Sequence, residues 1–358
     1  MSKRRVVPTD GFRAGSARAA TVSMRVLALT LPLALIAAAP APERSPLDAR
    51  VPVIDLRVGL SSSLAHSLPL AKGLGQAGYV ELARGGVAGV VLPFPSQGNA
   101  RVRDPEPAFF AMRDALAFSH RFKWNACNER APGIGAWLSL EAPRELAREP
   151  DQLGVWTARG ARIVAIAGSR DNDLTTSAAP AGPGPVTGLT AAGRSVVQRT
   201  LATGALVDVS NSSELALDEV VEMAERAGSP VIASHSNARA LADSPWNLSD
   251  VQIRSIAKTG GVVGVTARHG LLAPGRSPTI RHLVEQIRHM VRVAGPEHVA
   301  VGSSFEDGAG SVTGFKSAAD FPRLARALRD RGLSEDAVER VFYKNARRVL
   351  CPAKAPGR

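Results

Sequence analysis

PVIASHSNAR, Pro230–Arg239, is the stretch whose reading decides the fold. An apolar β-type run ends at Ser234, and His235 follows at once. A histidine at the carboxyl end of a buried strand is placed like a metal ligand at the mouth of an α/β barrel. Seven other short β-type runs lie on either side of it: Val51–Leu56, Val87–Leu92, Ile134–Leu140, Arg162–Ala167, Ala205–Ser210, Val262–Thr266 and Val299–Ser303. Most are continuous apolar runs, which suits parallel strands buried on both faces.

The segments between them carry helical signals. Ser213 caps a helix with Leu217, Val220, Val221 and Ala224 on one face, ended by Gly228. Ser249 and Gln252 form a capping-box pattern, and Gly260 closes that helix. Ile280, Leu283, Val284, Ile287, Val291 and Ala294 repeat at helical spacing before Gly295. Leu324–Leu328 and Ala337–Val349 read as closing helices, and Ser177–Gly188 as a loop on the rim. Eight alternations of strand and helix predict a single (β/α)8 TIM-type barrel of the α/β class over residues 43–352, with a disordered tail at 353–358. An open doubly wound sheet is the competing architecture, but no glycine-rich phosphate loop follows the first strand.

The first 42 residues read as a signal peptide with an N-terminal extension. Met24-Arg25 precedes VLALTLPLALIAAAPA, an apolar run too short for a membrane span and ending in small residues. Met24 is an alternative start. The expectation is an exported protein, periplasmic or secreted, with no stable membrane span after cleavage. The net charge of +12 falls to +7 without residues 1–42, and the remaining arginines are scattered among acids. With 4% aromatic residues, this surface argues against a nucleic-acid partner. Homo-oligomerisation stays open. Cys127 and Cys351 are the two cysteines; export permits a disulfide, but unpaired thiols fit equally well.

Several long segments resemble, in order, the membrane (renal) dipeptidase family of zinc peptidases, with an amidohydrolase-like barrel. They are GLTAAGRSVVQRTLATGALVDVSNSS (188–213), PVIASHSNARAL (230–241), NLSDVQIRSIAKTGGVVGV (247–265) and HVAVGSSFEDG (298–308). The resemblance implies zinc-dependent dipeptide hydrolysis at two metal ions. It implies the bridging glutamate at Glu141, a metal-binding histidine at His235 and a substrate-carboxylate arginine at Arg239. Other expected positions differ. A His-x-Asp pair of metal ligands is Arg57-x-Gly59 here, and a ligand histidine is Asn211. The histidine that stabilises the tetrahedral intermediate is Gly168, and the catalytic aspartate is Ser304.

Zinc hydrolases use three protein ligands and an activated water, and Glu141 with His235 is a poor remnant of that set. Asn211 would add only an amide oxygen. The expectation is therefore no zinc and a catalytically impaired relative, a pseudoenzyme that keeps a dipeptide or other small carboxylate through Arg239. Arg57 is expected to stand in for the first metal ion and pair with Glu141. One alternative is an active metallodipeptidase with an unusual or single-metal ligand set; another is a structural or partner-binding barrel. A rebuilt centre could use His235, His269 and Asp307, with His66 and Glu306 nearby. Arg239 could instead pair with Asp243. His120, His282, His289 and His298 read as structural. Ser61–Ser63 and Ser303-Ser304 lack the elbow and partners of a serine nucleophile.

Overall fold

The computed structural model describes residues 51–59, 75–95, 109–110, 112–114, 116, 120–124, 127, 133–180, 185–307, 310 and 312–352. The expected signal peptide, His66, Ser61–Ser63 and the 353–358 tail lie outside the described residues. The strands are β1 (Val53–Asp55), β2 (Val87–Pro95), β3 (Phe122–Trp124), β4 (Ile134–Glu141), β5 (Ala161–Ala165), β6 (Leu206–Asp208), β7 (Val231–Ser236), β8 (Val262–Val265) and β9 (Val299–Val301). All pairings between them are parallel. The order β2-β1-β9-β8-β7-β6-β5-β4, closed by β2 against β4, makes an eight-stranded barrel. The fold is thus the expected (β/α)8 barrel.

β3 was not expected. It pairs only with Ile134–Ala136 of β4, whereas β5 joins β4 from Leu138 onward. The short strand therefore covers an edge that would otherwise be unpaired.

One apolar residue from each barrel strand enters a common cluster: Ile54, Val91, Trp137, Ile163, Leu206, Ile232, Val262 and Ala300. These residues form the barrel interior, and Ala346, Val349 and Leu350 of the last helix, Asn345–Leu350, close it. Trp137 is the bulkiest member. Gly89 makes room for it, since a Cβ there would lie 2.5 Å from the indole ring. The other face of the strands packs against the helices in a larger apolar cluster.

The helices follow their sequence signals. Ser213 caps Glu214–Ala227, and Gly228 ends it at φ 61°. The Ser249–Gln252 capping box opens Asp250–Lys258, and Ile280–Ala294 stops before Gly295. The expected helix Ala337–Val349 is interrupted by a wide π turn over Arg340–Lys344. Cys127 and Cys351 form a disulfide across a sequence separation of 224 residues. It ties the closing helix to the chain ahead of β4. No helix among the described residues is long and apolar enough to cross a membrane.

Candidate functional site

The carboxyl ends of the strands converge on one mouth, and buried aspartates shape it. Asp55 Oδ1 accepts from the Arg57 and Ser303 amides at 3.1 and 2.8 Å, and its Oδ2 accepts from Ser303 Oγ at 2.5 Å. Asp208 Oδ1 accepts from the Ser210 and Ser234 amides at 2.9 and 3.0 Å. Each carboxylate thus turns its own strand end and pins the neighbouring strand. Sequence reasoning overlooked these two residues as site builders. Their signal was an acid set within an apolar strand run, where a buried carboxylate calls for hydrogen-bond donors. Burial pushes the Asp55 carboxyl up to about 6, partly offset by the Ser303 and Arg57 hydrogen bonds.

The backbone bends sharply at the rim. Ala142, Asn211, Ser304 and Glu306 hold φ of 43°, 64°, 58° and 66°. Non-glycine residues in this left-handed region are uncommon and concentrate at functional sites.

Arg57 and Glu141 meet. Arg57 Nη1 donates to Glu141 Oε2 at 2.8 Å, with side-chain exposures of 11% and 19%. Arg57 Nη2 also lies 3.5 Å from Asp307 Oδ2. Ser139 Oγ donates to the other oxygen of Glu141 at 2.9 Å. Burial opposes the charge on Arg57, but Glu141 and Asp307 outweigh it and hold the guanidinium protonated. Burial raises Glu141, and Arg57 draws it back down.

The remnant histidine is engaged as well. Asn211 Nδ2 lies 3.2 Å from His235 Nε2, and Ser234 Oγ lies 2.8 Å from Nδ1. An amide NH2 only donates, so Nε2 accepts and the neutral ring carries its proton on Nδ1. Burial, then the Arg57 and Arg268 cations, hold His235 well below its ordinary range. β7 runs on to Ser236, with an irregularity between Ala233 and Ser236, so His235 sits within the strand end rather than after it.

The other substituted positions are also accounted for. Ser304 Oγ accepts from Thr266 Oγ1 at 2.9 Å, and its amide donates to the Arg57 carbonyl. Gly59 leaves no room for a side chain, because a Cβ would lie 2.6 Å from the Asp307 amide nitrogen. Gly168 faces open space, where a Cβ would meet only Ala142 at 3.9 Å. Arg239 Nη1 pairs with Glu214 Oε1 at 2.6 Å, and Nε donates to the Asn247 carbonyl at 3.1 Å. Its acidic partner is thus Glu214, the first residue of the 214–227 helix, not Asp243.

The described residues hold no group of three or more His, Cys, Asp or Glu placed to bind a metal ion. His269 packs beside Gly310, and Glu306 accepts from the Ala77 amide, so these two are occupied away from His235. Sequence reasoning did not consider Arg268, which follows β8 and whose charge adds to the effects that disfavour protonation of His235. Its signal was a cation three residues beyond the end of β8.

Comparison with known proteins agrees with this architecture. The chain is 37% identical over 175 residues to an uncharacterised protein of the pqqA 5' region of Klebsiella pneumoniae, covering 48% of this chain and 63% of the relative. It is 27% identical over 225 residues to dipeptidase tcpJ of Claviceps purpurea, covering 62% and 51%. The match to human dipeptidase 3 is 30% over 165 residues, covering 46% and 33%. The matched segments thus span between a third and two thirds of these relatives. Among solved structures, the dipeptidase AC, a metallopeptidase of family M19, superposes with a TM-score of 0.71 at 22% identity, covering 84% of this chain and 98% of that one. A metallopeptidase from Rhodobacter sphaeroides, liganded with a phosphinate mimic of the dipeptide L-Ala-D-Ala, gives 0.70 at 21%, covering 84% and 98%. At such identities the superpositions establish the fold. The membrane dipeptidase model (peptidase family M19) matches residues 43–355, and the chain belongs to that family.

Proposed function

We propose that this family member has exchanged the metal centre for a protein-only polar network. On this reading it is catalytically impaired and binds a dipeptide or similar small carboxylate at the barrel mouth. The observation that carries it is the 2.8 Å contact between Arg57 and Glu141. A guanidinium at that distance occupies the space and the lone pair that a cation on Glu141 would need. His235 adds support, since its Nε2 lone pair faces the Asn211 amide.

The donor set does not fit a zinc pair. Zinc sites use at least three nitrogen, sulfur or carboxylate ligands. Here one candidate ligand is paired to arginine, a second is capped by an amide, and a third position, Gly59, has no room for a side chain. A carboxylate ligand needs only cations and donors, which the mouth retains. Arg239 is one of them. Its pair with Glu214 has side-chain exposures of 31% and 61%, and an exposed pair of this kind is worth at most about 1 kcal/mol. An incoming carboxylate exchanges for Glu214 at little cost. The relatives named as dipeptidases motivate the choice of a dipeptide.

The test is metal analysis of the purified protein beside a panel of dipeptides, assayed for hydrolysis with and without added zinc. The expected result is substoichiometric metal, no metal-dependent turnover, and saturable binding of dipeptide that is weakened in Arg239→Ala. Stoichiometric zinc with metal-dependent hydrolysis would overturn the reading in favour of an active metallodipeptidase with an unusual ligand set. Absence of any saturable binding would favour a structural or partner-binding barrel.

A further inference from the structure

We infer that the Cys127–Cys351 bridge is a redox latch on the floor of the barrel. Its reduction frees the last turn of the closing helix together with β3 and uncovers the interior, while the rest of the barrel stays folded.

The floor is the end of the barrel opposite the mouth. Ala346, Val349 and Leu350 pack into the interior cluster that contains Trp137, and Cys351 packs against the same cluster. The two ends of the Asn345–Leu350 helix are held differently. The first turn is fastened to the barrel: Asn345 Nδ2 donates to the Pro296 and Val299 carbonyls at 2.6 and 2.8 Å, and Arg348 Nη2 donates to the Glu297 carbonyl at 2.9 Å. The last turn leaves carbonyls without helical partners. Arg162 covers two of them, donating from Nε to Leu350 at 2.9 Å and from Nη2 to Val349 at 3.1 Å. Burial opposes the charge on Arg162, so these bonds offset a desolvation cost before they hold the helix. The helix ends at Cys351, whose φ of −126° and ψ of 64° are not helical, and the bridge is its covalent tie.

The other side of the bridge is as lightly held. Cys127 lies three residues after β3, which pairs with β4 over Ile134–Ala136 alone among the described residues. Arg347 Nη2 donates to the Cys127 carbonyl at 3.0 Å, so this contact too depends on the closing helix. One bond thus fixes a three-residue strand and a helix turn. Trp137 directly follows the stretch of β4 that β3 covers, so both elements border the interior at the same level.

The bridge is chemically reachable. Cys127 is exposed and Cys351 half-buried, and exposed bridges are the ones open to thiol exchange. A dithiol reductant balances the step. One of its thiolates attacks Cys127 Sγ, and Cys351 leaves as a thiolate and takes up a proton. The second thiol then closes the reagent's own disulfide and releases Cys127, so two electrons and two protons pass to the protein. Completion of the floor is thereby coupled to the redox state of the surroundings.

The experiment is hydrogen exchange by mass spectrometry on the full-length protein, oxidised and after reduction with dithiothreitol. Amides of Phe122–Trp124 and of 345–351 should come to exchange faster relative to those of β5–β8, the gap widening by about tenfold or more, the scale of freedom regained by one unpinned residue. Re-oxidation should restore the original gap. Cys127→Ser should show the wide gap with or without reductant, and oxidised Arg162→Gln should keep the narrow one. A gap that reduction leaves unchanged overturns the inference, whether nothing moves or all amides accelerate together as with an ordinary cross-link. A reductant response that persists in Cys127→Ser also overturns it. So does oxidised Arg162→Gln opening the last turn as far as reduction does, since the arginine would then be the fastener.

Discussion

Replacing Arg57 by methionine removes the cation that satisfies Glu141 and keeps much of the aliphatic volume. The cost follows from the geometry. A 2.8 Å contact places the charge centres about 4 Å apart, and at an effective dielectric near 20 that is about 4 kcal/mol of attraction. Both side chains are less than a fifth exposed, so water recovers little of it. Breaking one partner of such a pair typically costs about 3–5 kcal/mol, because the other charge is left buried. Replacing both partners is far milder, so Arg57→Met combined with Glu141→Gln should regain most of the loss; the amide oxygen introduced by Glu141→Gln can still accept from Ser139 Oγ. The pH dependence has a definite sign. Without Arg57, burial raises the folded Glu141 pKa further above its unfolded value of about 4.3. The folded variant then binds a proton more tightly, so its stability falls as pH rises above about 4.3. Its deficit against wild type should therefore be larger at pH 7 than at pH 5. Urea unfolding of wild type, both single variants and the double variant at the two pH values measures this. A double variant no more stable than Arg57→Met, or a deficit independent of pH, would refute the view that Arg57 is the counter-ion of Glu141.

Three further outcomes are expected. Asp55 is raised to about 6 in the folded state against an ordinary 3.8, so the native protein takes up a proton between those values and stability falls by about 3 kcal/mol as pH rises through that window. Asp55→Asn should lack this slope; urea midpoints that run parallel to wild type from pH 4 to 7 would contradict it. Gly59→Asp forces a Cβ within 2.6 Å of the Asp307 amide nitrogen and should cost about 1–3 kcal/mol without raising zinc uptake. Thermal melts and metal analysis check this, and an undisturbed variant that loads zinc would reverse it. Cys351→Ser opens a loop closed over 224 residues, which on chain-entropy grounds costs up to about 5 kcal/mol. A urea midpoint that does not move with the substitution or with reductant would show the bridge to be dispensable.

Much of the barrel was legible because burial on both faces leaves continuous apolar runs, and all eight expected strands form. Their ends were less so: β5 closes at Ala165 and β6 at Asp208, where buried side chains and rim turns take over the backbone hydrogen bonding. β3 escaped notice because FKW is three residues long and is a strand only by virtue of the uncovered edge of β4. At the site, Arg57 facing Glu141 could be anticipated from the resemblance and from charge. The partner of Arg239 could not, because Glu214 and Asp243 are both acids within plausible reach and only the packing of the 214–227 helix beside β7 selects one. Asn211 was considered as an oxygen donor to a metal, whereas its amide nitrogen faces His235.

The amino-acid sequence by itself determined the periodicity of buried strands and capped helices, and with it the barrel and the family. Those are local patterns, carried by neighbouring side chains and their hydropathy. Tertiary structure decided the pairings across the mouth: Arg57 with Glu141 84 positions away, Ser303 with Asp55 248 positions away, and Cys127 with Cys351. Such contacts depend on closure of β1 against β9 and β2 against β4, and on the direction each side chain takes once the rim has bent. Composition carries no record of that geometry, so which charges cancel emerges only when the barrel closes.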